Sequence, residues 1–347
     1  VLTESSGSIS MWSEGWRRLE RNGSPVRSSP LPPPNGLQGP LPLEPGQVDE
    51  LNRVFSDAFT ERYHRDGLSG VRVPLLNPLI WRYAIALAGE GALHWRDSTG
   101  GLAAFNLVHR SGTEGWMGPL AVRPDHQRRG IGRDVVMAGI RLLERHGCRT
   151  IGLETMPRTV ENIGFYSGLG FRPGHLTVSM VREVAPTDGV PAELGSGLGV
   201  PADWLSSLGG LTGTLAPGLD LTREVRLTAE MSLGDATVVR ETGAWRAFAL
   251  WHAVPLALGR AAEELRILKV LAKDRASFRS VIAGAIAAAA GRGLGRIGIR
   301  CQTAYGDTYG DLIDLGFRIH WTDLRMTLHD RPEQRPSQGV VMSNWEI

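Results

Sequence analysis

The chain has 347 residues, 42% of them hydrophobic, enough for two ordinary domains with real cores. Its formal charge of +2 is too balanced to argue for a nucleic-acid partner, and no apolar run approaches the ~18 residues that argue for a membrane helix. Two cysteines, Cys148 and Cys301, stand far apart, and the nine histidines are scattered; no metal is expected, and a reduced, cytoplasmic setting is.

Residues 1–46 are rich in Ser, Pro and Gly and read as a flexible leader; 12–21 reads as disordered with the rest, a short docking helix being the alternative. Leu51, Val54, Phe55 and Phe59 predict an amphipathic helix over 48–62, and a second is expected over 77–87. Three strand-like runs follow, 91–97, 102–109 and 114–122, and their short glycine-bearing links indicate an antiparallel meander. Gly118-Pro119 inside the third run suggests a bulge, or an edge irregularity, because proline cannot donate to a ladder.

The next stretch, Leu120-Ala-Val-Arg-Pro-Asp-His-Gln127-Arg-Arg-Gly130-Ile-Gly132-Arg133, joins a strand end to a glycine turn and a helix start. Without Cβ atoms at 130 and 132 the backbone can bring free N–H groups close to an anion, and the helix dipole adds to the attraction. Ile131, Val135, Ala138 and Leu142 carry the helix on, Gly147 ends it, and 150–154 reads as a strand. A strand-loop-helix-strand unit implies a parallel pair with a right-handed crossover. A dinucleotide site would want a third glycine where Val135 stands.

The pattern Val122-x-Pro124-x-x-Gln127-x-x-Gly130-x-Gly132, followed by Asn162-Ile-Gly-Phe-Tyr166-Ser-Gly-Leu-Gly170-Phe171, resembles the GNAT superfamily of acyl-CoA-dependent N-acetyltransferases over about residues 45–182. The resemblance implies an α/β architecture with a mixed sheet, acetyl-CoA as acyl donor and a small or peptidyl amine as acceptor. It puts Gln127, Arg128, Arg129, Gly130, Ile131, Gly132 and Arg133 at the CoA phosphates. Main-chain N–H groups near Leu120 and Val122 would polarise the thioester, and Tyr166 would protonate the leaving thiolate. Alternatives stay open residue by residue: the three arginines as surface charges, Asn162 on the pantetheine arm or as a helix cap, and Tyr166 as a core aromatic. Glu114 and Glu154 are candidate bases or ion-pair partners, and the Ile347 carboxylate is a third base candidate. The acceptor pocket is expected around 59–72 and Glu114.

The chain also repeats itself. Ile151-Gly-Leu precedes Gly170-Phe171 as Ile297-Gly-Ile precedes Gly316-Phe317, at a constant offset of 146. The expected plan is tandem GNAT folds: a leader over 1–46, a catalytic domain over 47–183, a linker over 184–217 and a degenerate GNAT-like domain over 218–347. The offset sets Tyr166 on Leu312, Glu154 on Arg300 and Asn162 on Thr308, and the second copy has no glycine loop. An intact loop in the first copy and a lost one in the second is similar to the layout of enhanced intracellular survival acetyltransferases, with mycothiol synthase as a relative of opposite arrangement. The second copy would then shape the acceptor pocket or a homo-oligomer interface. The competing reading of the whole is a non-catalytic acyl-CoA-binding sensor or structural pseudoenzyme.

Overall fold

The predicted helices form where their apolar stripes can be buried. In α1 (Val48–Arg65) the stripe Leu51, Val54 and Ala58 is buried, and Phe55 stacks on Phe59 at 4.6 Å. The second helix, α2 (Pro78–Ala88), starts at proline, with the Asn77 side chain accepting from the Leu79 N–H at 3.0 Å. Residues 36–188 and 202–343 are described in this computed structural model, and both halves of the chain lie in one compact unit over 35–347.

The first half continues as β2 (Ala92–Arg96), β3 (Leu102–Ser111), β4 (Glu114–Val122), α3 (Ile131–Arg145), β5 (Thr150–Thr155), α4 (Val160–Ser167) and β6 (Phe171–Glu183). Strands β2 to β4 form the expected antiparallel meander, and β4 and β5 are parallel. Alternation divides the faces. Phe105 and Leu107 face the cluster built on α1 and α2, whereas Val108 and Met117 pack with Val136 and Ile140 of α3.

Two expected boundaries move. The end of the expected leader is an edge strand, β1 (Gln38–Pro42), antiparallel to β2, with Leu37 and Leu43 buried on either side. Prolines at 40 and 42 masked it, although an edge strand tolerates residues that cannot donate. The patch at 12–21 lies outside the described residues. Within the expected linker, α5 (Ala202–Leu215) is a full helix whose Trp204, Leu208, Leu211 and Leu215 form one buried stripe, with Trp204 edge-on to Trp245 at 4.9 Å. Three glycines hid it; burial of that stripe outweighs their helix-breaking cost of about 1 kcal/mol each.

The second half runs α6 (Thr222–Glu230), β7 (Gly234–Glu241), β8 (Ala244–His252), β9 (Glu264–Ala272), α7 (Arg275–Gly291), β10 (Arg296–Gln302), α8 (Gly306–Asp314), β11 (Arg318–Leu328) and β12 (Val340–Ser343). Here β9 and β10 form the parallel pair, and α8 starts 146 residues after α4. The repeat in the sequence is therefore a repeat in the structure.

The halves do not keep separate sheets. The order β1-β2-β3-β4-β5-β11-β6-β10-β9-β8-β7 places the last long strand of each half against the other: β11 pairs with β5, and β6 with β10, all antiparallel. Thr177 of β6 pairs with Asp323 of β11, its own counterpart at the offset of 146, so an approximate two-fold axis passes between them. This reciprocal exchange builds one mixed sheet from both copies.

Candidate functional site

Strands β4 and β5 pair only over residues 114–117 and 150–153, after which they separate. The separation begins at a bulge. Val108 pairs with Met117 and Asn106 with Leu120, so Gly118 and Pro119 together face only Leu107. Gly118 has φ +142, and its carbonyl accepts from His109 Nε2 at 3.0 Å, which fixes that imidazole as the Nε2–H tautomer. Burial, seconded by Lys269, lowers the His109 pKa to about 3, so the ring is neutral.

Beyond the bulge every second donor points away from β3. The Arg123 N–H donates to the Ala103 carbonyl at 2.8 Å, and the antiparallel register then directs Ala121 to Phe105. By alternation, Leu120 and Val122 turn their N–H groups toward the opening between β4 and β5. This edge has no strand partner among the described residues.

The loop after β4 spans residues 123–130 and leads into α3. Gly130 stands at the N-cap in the left-handed region at φ +81, where a side chain would be strained. Among the described residues the N–H groups of Ile131 and Gly132 have no backbone acceptor, within the helix or around it. A Cβ on Gly132 would meet only the Phe165 ring at 3.5 Å, so the protein itself does not require glycine there; a closely approaching ligand would. Arg128, Arg129 and Arg133 are exposed, with no ion pair among the described residues. Gln127 is committed elsewhere: its Nε2 donates to the Val122 carbonyl at 2.9 Å and its Oε1 accepts from Arg65 at 3.0 Å.

The last turn of α1 straddles the opening. Arg65 holds Gln127 on the β4 side, while Asp66 accepts from Thr159, and Arg62 pairs with Glu161 at 2.9 Å, on the β5 side. Asn162 lies inside the first turn of α4, not at its N-cap, which is Thr159; its Nδ2 donates to Thr155 Oγ1 at 3.3 Å. Tyr166 is buried against Phe171, ring centroids 6.0 Å apart and nearly perpendicular, with Phe165 at 5.1 Å. Burial pushes its phenol up to about 12, which keeps it a proton donor at neutral pH.

The two candidate bases part company. Glu154 Oε1 accepts from Thr177 at 2.5 Å and from Arg325 Nη1 at 2.6 Å, while its Oε2 accepts from Arg300. Burial would raise this carboxyl, but the two guanidinium groups override it and hold it at about 2. A carboxylate so committed is an ion-pair partner and a poor base. Arg300 is also its repeat counterpart: the second copy supplies the opposite charge where exact repetition would have placed two carboxylates together. Glu114 differs. It is buried beside Trp116 Nε1 at 3.4 Å and Ser343 Oγ at 3.3 Å, and burial, with Glu333 adding, raises its pKa. It precedes Gly118 by four residues, roughly 13 Å along a strand, so it could reach a proton at the bulge only through a relay. Ile347 lies outside the described residues.

Sequence reasoning missed the groups around this acid. Arg325 stacks on the Trp116 ring at 3.8 Å and joins Glu154 to Glu333, both at 2.6 Å. Lys269 is buried, and desolvation draws its ammonium down to about 8 against the opposing pull of Glu224 and Glu114. His109 alone left a signal, as a titratable residue on the apolar face of Phe105 and Leu107.

The second copy closes what the first leaves open. Only two residues, Lys273 and Asp274, separate β9 from α7, and Asp274 caps the helix by accepting from the Ser277 N–H at 2.8 Å. Strand β9 pairs with β10 over 264–267, and the next part of the same edge, 269–272, pairs with β12. Tyr305 secures β12 by donating to the Val341 carbonyl at 3.0 Å. The position matching the free Leu120–Val122 edge is thus filled by the chain itself.

Residues 58–171 match the acetyltransferase (GNAT) family. It is 34% identical over 84 residues to the ribosomal protein bS18 alanine N-acetyltransferase of Escherichia coli K12, a match that covers 24% of this chain and 57% of that protein. The chain therefore spans a little over half the length of this relative. Its fold is similar to an acetyltransferase candidate from Pyrococcus horikoshii, at a TM-score of 0.66 and 14% identity over 93% of this chain and 99% of the other. It is also similar to a tandem GNAT protein from the clavulanic acid biosynthesis pathway, at 0.52 and 15% identity over 86% and 100%. The fold is a mixed α/β tandem GNAT architecture.

Proposed function

We propose that this protein is an acetyl-CoA-dependent N-acetyltransferase with one transfer site, in its first half. The observation that carries the reading is the free edge of β4 at Leu120 and Val122, continuous with an eight-residue loop whose unpaired N–H groups open α3. A pantetheine arm can bond along that edge, and the pyrophosphate can sit on the N–H groups of Ile131 and Gly132 with Arg128, Arg129 and Arg133 around it.

In this reading a neutral amine attacks the thioester carbonyl carbon beside the bulge, a C–N bond forms and the C–S bond breaks. The Leu120 N–H stabilises the developing oxyanion; such a donor is worth roughly 2.7–4 kcal/mol elsewhere. Tyr166, kept protonated at neutral pH by its burial, gives its proton to the departing thiolate. The proton released by the attacking amine leaves through water, with Glu114 as the receiving base. Gln127 and Asn162 act on the loop and on α4 instead of on the ligand.

The Escherichia coli relative acts on a ribosomal-protein alanine, which makes primary amines, including peptide α-amines, the acceptor class to test first. Release of CoA thiol is expected with acetyl-CoA and one member of a panel of free amines and alanine-terminated peptides. If no acceptor releases thiol although acetyl-CoA binds, the catalytic reading falls.

A further inference from the structure

A second cavity lies outside this site, on the face of the second copy away from α7. It is a cleft of about 730 Å³ walled by β6, β9, β10 and the first residues of β11, with Leu256 beside it. That is an ordinary volume for a small-molecule site. An adjoining cavity of about 300 Å³ shares Leu256, Glu264, Arg266 and Arg296.

The lining is strongly cationic, but most of its arginines are already paired. Arg182 holds Asp188, Arg296 holds Glu263 and reaches toward Glu264, and Arg300 holds Glu154 and Asp323. Among the described residues two remain: Arg318, which donates to the Phe317 carbonyl, and Arg266, which has no carboxylate within ion-pair distance. Its Nη2 is buried without an acceptor. An unpaired buried guanidinium carries a desolvation cost that an acceptor would relieve, and its planar fork matches a carboxylate or phosphate. Gly298 is the register partner of Arg266 and brings no side chain of its own; the space above it is taken by the Glu264 carboxyl, which lies beside Arg266 without pairing with it and whose pKa burial raises, so that it can protonate to admit an anion.

We propose that this cleft binds the carboxylate or phosphate of a small organic acid, with Arg266 as its anchor and Arg318 as the second contact. The cleft shares Arg300 with the first-half site through Glu154. The loop beside it is tied to the segment between α1 and α2, where the Leu258 N–H donates to Leu75 and the Asn77 N–H donates to Leu256. The acid group can therefore belong to the amine acceptor or to a separate effector.

Calorimetry on the full chain without acetyl-CoA, using inorganic phosphate and then succinate, tests the site independently of any transferase activity. Saturable millimolar or tighter binding is expected, weakened roughly tenfold or more in Arg266→Gln and severalfold in Arg318→Ala; any component lost in Arg129→Ala belongs to the loop before α3 and counts against this cleft. Circular dichroism checks that Arg266→Gln is folded; if it is not, the loss of affinity in Arg318→Ala decides between binding and no binding at this cleft. Succinate that competes with the amine in rate assays assigns the anion to the acceptor; succinate that alters turnover without competing assigns it to an effector. No saturable binding of either anion, or binding equally strong in both arginine variants, overturns the proposal.

Discussion

The two copies share one plan but differ at one strand edge. In the first, β4 leaves β5 at the Gly118-Pro119 bulge and keeps a free edge that runs into an eight-residue loop. In the second, β9 leaves β10 at the matching point, but β12 covers the freed edge and a two-residue link replaces the loop. Backbone donors have to be satisfied: the second copy satisfies them with its own chain, and the first leaves them open for the acyl-CoA proposed above. An internal strand thus shows how a ligand-binding edge becomes a structural one, and the exchange of β6 and β11 ties both outcomes into one sheet.

The comparison breaks most visibly at Tyr166, the proposed acid. Tyr166→Phe keeps the ring against Phe171 and removes the hydroxyl, whereas the second copy has the buried Leu312 at this position. Steady-state turnover should fall by ~10² to 10⁴ with acetyl-CoA affinity nearly unchanged. Wild-type turnover under conditions where chemistry limits the rate would leave Tyr166 a core aromatic.

At the two-fold axis, Glu154→Gln should cost about 3 kcal/mol of stability at neutral pH, because Arg300 and Arg325 lose their shared carboxylate. The folded pKa of about 2 lies below the unfolded value. Its contribution is therefore complete above the unfolded pKa and lost as pH falls through about 2. Denaturant titrations from pH 6 down to pH 2 should show the variant and the native protein converging; parallel curves would remove Glu154 from the account.

Gly132→Leu addresses the cradle. Since a Cβ there would only touch Phe165, the melting temperature should barely change, while acetyl-CoA affinity falls by roughly 10- to 100-fold through blocked phosphate approach. A matched loss of stability and affinity would make this glycine structural. The smallest effect is expected from Tyr305→Phe, which loses a hydroxyl that donates to the Val341 carbonyl at 3.0 Å and accepts, at a long 3.4 Å, from the Val341 N–H, and should cost about 1 kcal/mol by chemical denaturation. A much larger loss would mean that β12 carries more of the second copy than its pairing with β9 suggests.

Much of this was legible in the sequence. The helix stripes, the meander, the glycine loop and the offset of 146 all survive in the structure, because each rests on local periodicity or on a backbone conformation only glycine adopts comfortably. What stayed hidden is non-local. No spacing says that β11 inserts beside β5, or that Arg325, 171 positions away, neutralises Glu154. Glu154 stayed open between base and ion-pair partner because its partners are distant in the chain, and β1 read as leader and α5 as a linker with one helical turn because proline and glycine obscured leucines that only burial explains. Gln127 read as a ligand contact, but its side chain ties the loop to β4 and α1.

The central claim is that a single copy keeps the open edge. Isothermal titration of the full chain with acetyl-CoA should give one site per chain, strongly weakened in Gly132→Leu and unaffected by Tyr305→Phe. Two sites per chain, or one site that Gly132→Leu leaves intact, would contradict it.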